Sequence, residues 1–524
     1  MPSITYTNTG GKITYDSNDW RCGLDDSAAA TTERKKPAGF AYMSQVDPLR
    51  RPGYISPSFL PTVITAGTNI GVIVGAEVYG TYAILLENSK YVHQLTTLAN
   101  GVQTNDASFP HNITLGHETH TVVGNDVAQY YNNTGNVTTF FSYYDGTDWD
   151  IAAYDNVAAS WTDNFLSSLA NTLGASYFTG GKSVYHPIIR GDDDTLLIGD
   201  RNFVHSYDRV TNKATAERIT LPKGWVVSCF ALTNDRKLAI GAYWTGGVSG
   251  STYNRGKASV WIWNYLDLDT LYQLDLNDNY VSEIKNLMGT LLAFTSGRTS
   301  TQRAGVAKLQ VLEGSVFTVK ETYSLGTSLP IRGAVDISGD DVYFNAAGTV
   351  YAYAKNEQGA YTLNQIVNGA GTSSGFLRFF TSSNTYHIST TTGTVQGVQY
   401  VGTGNGYNNG DSFRGMVASP HFPTRMHGQL REANITFKSA TTSGRSFSLE
   451  ATLDDTANLL VDGVTSVPIK LGVVNNKTNG DPMGTFSNLQ PLVTWADGTG
   501  SSDCPVLETM EFVYDNISNL TVAN

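Results

Sequence analysis

One short phrase returns through the middle of the chain and constrains the fold more than any other feature. It opens with a small or polar residue, continues as an apolar run, and is followed by a turn and a second, aromatic-rich strand. The clearest copies are Thr195-Leu-Leu-Ile-Gly199, Lys237-Leu-Ala-Ile-Gly241, Thr290-Leu-Leu-Ala-Phe294 and Asp341-Val-Tyr-Phe-Asn345. Weaker copies begin at Thr81, Asp126 and Thr385. The later copies start roughly 42 to 53 residues apart, the length of a four-stranded propeller blade. Turns rich in Asp, Asn and Gly precede several of them, as in Arg190-Gly-Asp-Asp-Asp194 and Ile337-Ser-Gly-Asp-Asp341. Such runs predict an all-β chain whose centre is a β-propeller of about seven blades.

Composition agrees. Charged residues make up 15% of the chain, with 52 Gly and 29 Tyr, which excludes a disordered or mainly helical protein. A net charge of −12 argues against a chain that wraps nucleic acid but not against one that lets it pass. Cys22, Cys229 and Cys504 are odd in number and far apart, so reduced thiols are expected rather than a disulfide framework or a metal site. The N-terminus lacks the pattern of a signal peptide, and no run approaches the ~18 apolar residues of a membrane span.

Three regions are expected. Residues 1–58 read as an extended N-terminal arm with Pro37, Pro48, Pro52 and Pro57, and with candidate assembly residues Trp20, Arg34, Lys35, Lys36, Phe40, Arg50 and Arg51. Residues 59–420 read as the propeller, with a strand near 60–65 closing the last sheet from the N-terminal side. Within it, Phe165, Leu166, Leu169 and Leu173 predict a helical insertion over about 157–183. Residues 421–524 alternate inward and outward, as in Phe447, Leu449, Ala451 and Leu453, and read as a small antiparallel β-sandwich.

Motifs with possible chemistry are degenerate. His117-Glu-Thr-His120 is one residue short of a zinc-protease spacing, and on a strand its histidines face opposite sides. Gly181-Lys182-Ser183 lacks the first glycine of a phosphate loop at its required position. Asp275-Leu-Asn-Asp-Asn279 has calcium-like spacing, but Tyr280 stands where the loop needs Gly. Arg190-Gly-Asp192 sits in an expected blade turn. No catalytic, metal or cofactor residue is therefore assigned, and no enzyme is expected.

Two phrases resemble known families. Ser142-Tyr-Tyr-Asp-Gly-Thr-Asp-Trp149 resembles the Asp-box of sialidase-type propellers, with its Asp displaced to position 145; in those proteins the box is a structural turn. Asp47-Pro-Leu-Arg-Arg-Pro-Gly-Tyr54 and the tract Ile337–Tyr353 are similar to tail nozzle proteins of short-tailed phages, as is the order of arm, propeller and sandwich. That resemblance implies a virion tail protein made in the host cytoplasm. It would form a homo-oligomeric ring, six-fold favoured, against other tail or adaptor proteins, with DNA passing through without sequence-specific binding. The alternative reading is a tail protein that binds a host-surface glycan; a sialidase-like enzyme is the remaining one.

Overall fold

In the computed structural model, the described residues are strands and turns, without a helix. They are those outside the chain ends, the long stretches 16–39, 64–70, 96–108, 114–122, 170–185, 246–256, 298–305, 326–332, 368–375, 380–385, 402–410, 416–425 and 497–503, and several shorter gaps. The chain forms two units: residues 62–348 with 369–400, and residues 1–61 with 349–368 and 401–524.

The first of these, the ring unit, is a succession of four-stranded antiparallel sheets ordered as in a propeller. One sheet is Ile188–Arg190, Leu196–Asp200, Phe203–Asp208 and Lys213–Thr220; the next is Trp225–Leu232, Leu238–Trp244, Ala258–Trp263 and Tyr272–Leu276. The repeated phrase falls on the second strand of its sheet in six of the seven copies. The copy beginning at Asp126 is the exception: it lies on the innermost strand, Val123–Tyr131, and the second strand is Val137–Tyr144.

Alternation explains why the phrase is apolar throughout. Leu196 and Ile198 join a cluster with Phe140 and Ile151 of the preceding sheet, whereas Leu197 joins Val227 and Ile240 of the following one. Both faces of a strand between two sheets are buried, so each of these side chains contributes about 2 kcal/mol of burial. The glycine that ends the phrase has a packing reason. A Cβ on Gly199 would lie 2.9 Å from Val227 Cγ1, and one on Gly241 would lie 2.8 Å from Ile284 Cδ1 and closer still to Cys229 Sγ. Glycine there lets the next sheet close in.

The turns between the first and second strands of three sheets share one device. Asn132 N–H donates to Asn136 O (3.0 Å), Gly191 N–H to Thr195 O (2.8 Å) and Thr233 N–H to Lys237 O (2.9 Å). A left-handed residue completes each: Gly135, Asp194 or Arg236, with φ of 87°, 58° and 61°.

The last sheet contains Leu377–Phe379, Tyr386–Thr392 and Val395–Val401, and its outer strand is Thr62–Val63 from the start of the unit. Val63 pairs with Gln399 and Thr62 with Tyr400, where the sequence placed a closing strand. Phe376 N–H donates to Ile73 O (3.0 Å), which ties the last sheet to the first.

The second unit contains two antiparallel sheets around one apolar cluster. Gly10–Tyr15 lies between Ser3–Tyr6 and Leu507–Ser518, while Phe40–Ser44 pairs with Asp411–Gly415 in the other sheet. Ile13, Tyr15, Met43, Val46 and Ile55 are buried in that cluster with Phe437, Phe447, Trp495 and Phe512. The described parts of 1–58, expected as an extended arm, are thus strands and core of this unit. The sequence did not reveal it because the pairing partners lie hundreds of positions away. The hairpin Thr349–Lys355 and Tyr361–Val367, expected within 59–420, completes the four-stranded sheet begun by Val335–Ser338 and Asp341–Ala346.

The helical insertion expected over 157–183 is corrected in its described part. Ser160–Thr162 is a strand, and the residues after it form turns, with Phe165 N–H donating to Ile151 O (2.8 Å). Phe165 and Leu166 pack against Phe140 and Tyr207, and that packing, rather than helix periodicity, fixes their spacing. Residues 170–183 lie outside the described residues.

Gly241→Val is expected to destabilise the protein by about 2 kcal/mol through overpacking, and Ile198→Asp by about 3 kcal/mol or more through burial of a charge. Denaturant unfolding measures both. A Gly241→Val midpoint equal to that of the parent would show that the neighbouring sheet does not need the glycine.

Candidate functional site

The innermost strands of the ring unit surround a cavity of about 290 Å³. Apolar phrases fill the space between sheets, so the innermost strands are left to carry the ionisable side chains. Glu77, Asp126, Glu283, Lys285 and Arg378 line the cavity, and Asp336 lies against Arg378.

Arg378, on the last sheet, is the hub. Its Nη2 lies 3.2 Å from Glu77 Oε2 on the first sheet, and its Nη1 lies 3.4 Å from Asp336 Oδ1 on Val335–Ser338. Burial opposes the guanidinium charge, but Glu77 and Asp336 outweigh it, so its pKa is raised. Burial dominates at Glu77: its carboxyl is pushed above the usual range although Arg378 pulls it down. Lys285 Nζ lies 3.4 Å from Glu283 Oε1, itself buried.

Asp126 and Asp336 share one role. Asp126 accepts from Val127 N–H (2.9 Å) and from Ile188 N–H (3.0 Å) of the next sheet. Asp336 accepts from Ile337 N–H (3.0 Å) and from Phe379 N–H (2.8 Å) of the next. Each carboxylate satisfies backbone donors at the start of its neighbour, where no ladder partner exists. The cavity's charges thus bind the innermost strands to one another.

A second, shallower groove of about 760 Å³ lies between two sheets and is lined by Arg201, Phe203, Lys223, Trp261, Asp269 and Gln273, among others. Arg201 lies over the Phe203 ring (5.4 Å to its centroid) and pairs with the buried Asp200 at 3.1 Å.

Sequence reasoning assigned none of the cavity residues to a site: Asp126 entered only as the start of a repeat copy and Arg190 only in a turn. A signal was present: each lies on the strand preceding an apolar phrase, as Glu77 precedes Tyr82–Glu87 and Asp336 precedes Asp341–Ala346. The motifs it did single out have structural employment or lie elsewhere. Asp278 accepts from Thr295 Oγ1 (2.6 Å), Lys308 Nζ (3.0 Å) and Gln310 Nε2 (3.2 Å), and Asp275 accepts from Ser259 Oγ (2.8 Å). Asp192 of the Arg-Gly-Asp phrase is paired with Arg236 at 2.7 Å, and Arg190 with Asp194 at 3.1 Å. In the Asp-box-like phrase, Ser142 Oγ donates to His186 O (2.7 Å) and Trp149 is buried; its turn, 145–148, is outside the described residues. So are His117, His120, Lys182 and Ser183, and the assembly candidates Trp20, Arg34, Lys35, Lys36, Arg50 and Arg51. Of Phe40 only the backbone is described, paired opposite Gly415. Among the described residues no group of three or more His, Cys, Asp and Glu is arranged to hold a metal ion.

No protein-family model matches the chain, and no curated protein does. Among solved structures, virginiamycin B lyase from Staphylococcus aureus aligns over 66% of this chain and 99% of its own, at 10% identity and a TM-score of 0.43. Kuenenia stuttgartiensis hydrazine synthase aligns over 65% and 99%, at 9% identity and 0.41. YCF48 bound to D1 peptide aligns over 66% and 96%, at 9% identity and 0.40. Likenesses this distant carry no functional argument.

One carboxyl beside the Asp-box-like phrase gives a pH test. Burial raises the pKa of Asp150 from 3.8 to about 6, against hydrogen bonds from Ser167 Oγ (2.6 Å) and Ile151 N–H (2.7 Å). Well below pH 3.8, at about pH 3 and under, the group is largely protonated in folded and unfolded chains alike. As pH rises towards 6 the unfolded chain ionises first, so the native state loses stability, and above about 6 the loss is constant. Asp150→Asn removes that loss. The variant should match the parent at about pH 3 and exceed it on the order of 2 kcal/mol at pH 7, measured by denaturant unfolding at both pH values. A constant difference between the two pH values would contradict the shift.

Proposed function

We propose that the chain is a non-enzymatic structural component of a phage tail, a nozzle-like ring subunit at the end of the DNA exit channel. In this reading the ring unit is a seven-bladed propeller, one blade for each innermost strand, and the two sheets of the other unit form a sandwich. The observation that carries it is the central cavity. Its cations are each paired with a carboxylate, Arg378 with Glu77 and Asp336, Lys285 with Glu283 and Arg190 with Asp194, so charges placed where a ligand would enter serve instead to hold the scaffold. That is the economy of a scaffold.

A cavity of about 290 Å³ is far too small for a DNA duplex. DNA would therefore pass through the lumen of an assembled ring, six-fold favoured, built from copies of this chain against tail or adaptor proteins. A net charge of −12 suits a wall that repels phosphate. The groove at Arg201, Lys223 and Trp261 favours a second reading, attachment to a host-surface glycan.

Low-resolution images of assembled particles with this chain labelled test the proposal. Six-fold density at the distal end of the tail, around the channel axis, is expected. Label on peripheral three-fold spikes would overturn the nozzle reading and favour the attachment one.

A further inference from the structure

The groove of about 760 Å³ between two successive sheets of the ring unit holds a donor that the packing of those sheets does not use. Trp261, on Ala258–Trp263, lines the groove and is 9% exposed, and its Nε1–H is buried without an acceptor among the described residues. A buried indole N–H ordinarily finds a partner. The ring belongs to the apolar cluster of Leu221, Trp225 and Trp263, which accounts for the indole but not for its donor. Other polar side chains of the groove are held in place with oxygens to spare. Gln273 Nε2 donates to Ser259 Oγ and to Asp275 Oδ1, both at 2.8 Å, which leaves its Oε1 as an acceptor. Asn202 Nδ2 donates to Leu221 O (2.8 Å) and Asp269 Oδ1 accepts from Thr270 N–H (2.8 Å), so Asn202 keeps its Oδ1 and Asp269 its Oδ2.

We propose that this groove binds a neutral saccharide. One sugar hydroxyl would accept from Trp261 Nε1–H, others would donate to Asn202, Asp269 and Gln273, and the C–H face of the sugar would lie against Tyr272, which is 48% exposed. Acceptors on fixed side chains outnumber the buried donor, which suits a ligand rich in O–H groups and not a phosphodiester, which donates nothing. Charge points the same way. Arg201 is paired with the buried Asp200 at 3.1 Å, and Asp269 offsets Lys223, so the lining gives a polyanion no net attraction. The inference rests on the attachment reading, for which it supplies a site and a ligand class. Sugar recognition by the purified chain and the position of the chain in a particle are separate measurements, and either can fail alone.

Binding of the full chain to an array of neutral, carboxylated and sulfated oligosaccharides and a single-stranded oligonucleotide tests it, followed by titration calorimetry with the neutral oligosaccharide that binds best. Retention of a neutral oligosaccharide is expected, little changed between low and high salt. Tyr272→Ala and Asp269→Asn should each weaken it about tenfold, and Trp261→Phe, which keeps a ring but removes the donor, by a similar factor. Tyr91→Ala, at an exposed aromatic on another sheet, should leave the affinity within about twofold. If Trp261→Phe does not fold, the exposed positions Tyr272 and Asp269 decide. No retention of any neutral oligosaccharide would overturn the site. So would retention confined to acidic sugars or the oligonucleotide and lost at high salt, or binding that Tyr272→Ala and Asp269→Asn leave unchanged.

Discussion

Everything in the ring unit depends on the pairing of sheet edges. A four-stranded sheet leaves backbone donors and acceptors unpaired on its outer strands and apolar side chains on two faces. The faces are buried by stacking sheet against sheet, as Leu196 and Leu197 show by belonging to different clusters on opposite sides of one strand. Closing the succession requires the last sheet to meet the first, and Thr62–Val63 supplies that sheet's outer strand from the other end of the unit. Had the chain begun with Ile73, the last sheet would end on an open edge.

Stacking of this kind imposes a charge pattern. Between sheets there is no room for polar groups without partners, and glycine is needed at Gly199 and Gly241 so that the neighbour can approach. The innermost strands border the central cavity. There Asp126 and Asp336 bind the backbone of the following sheet, and Arg378 spans two sheets. The same residues that look like an active site in a list of cavity side chains are, by geometry, the ties of the ring. Glu77, whose carboxyl is held above its usual range by burial, is one of these ties through its pair with Arg378.

The second unit solves its edge problem differently. Gly10–Tyr15 and Leu507–Ser518, from opposite ends of the chain, are neighbours in one sheet, and Ile13 and Tyr15 share the cluster of Phe512 and Tyr514. Its stability is coupled to both termini, so the segment before the propeller contributes to the core of this unit.

The sequence by itself determined the local units: apolar runs of four to seven residues, their Asp/Gly/Asn turns, the roughly 42-to-53-residue spacing and the closing strand near 60–65. These are local signals, written in alternation and turn chemistry, and they survive in one dimension. The repeat beginning at Asp126 was misplaced by one strand because Val123–Tyr131 and Val137–Tyr144 are both aromatic and apolar, and periodicity cannot rank them. A helix was expected at Phe165 and Leu166 because two turn residues packing under a sheet mimic helical spacing. Only the tertiary structure decided that Gly10–Tyr15 joins Leu507–Ser518, and that Glu77, Asp336 and Arg378 meet. The physical reason is the same in each case. Strand pairing and ion pairing act through space at a few ångströms, and residues 301 positions apart, such as Glu77 and Arg378, leave no periodic trace of a contact that only ring closure creates.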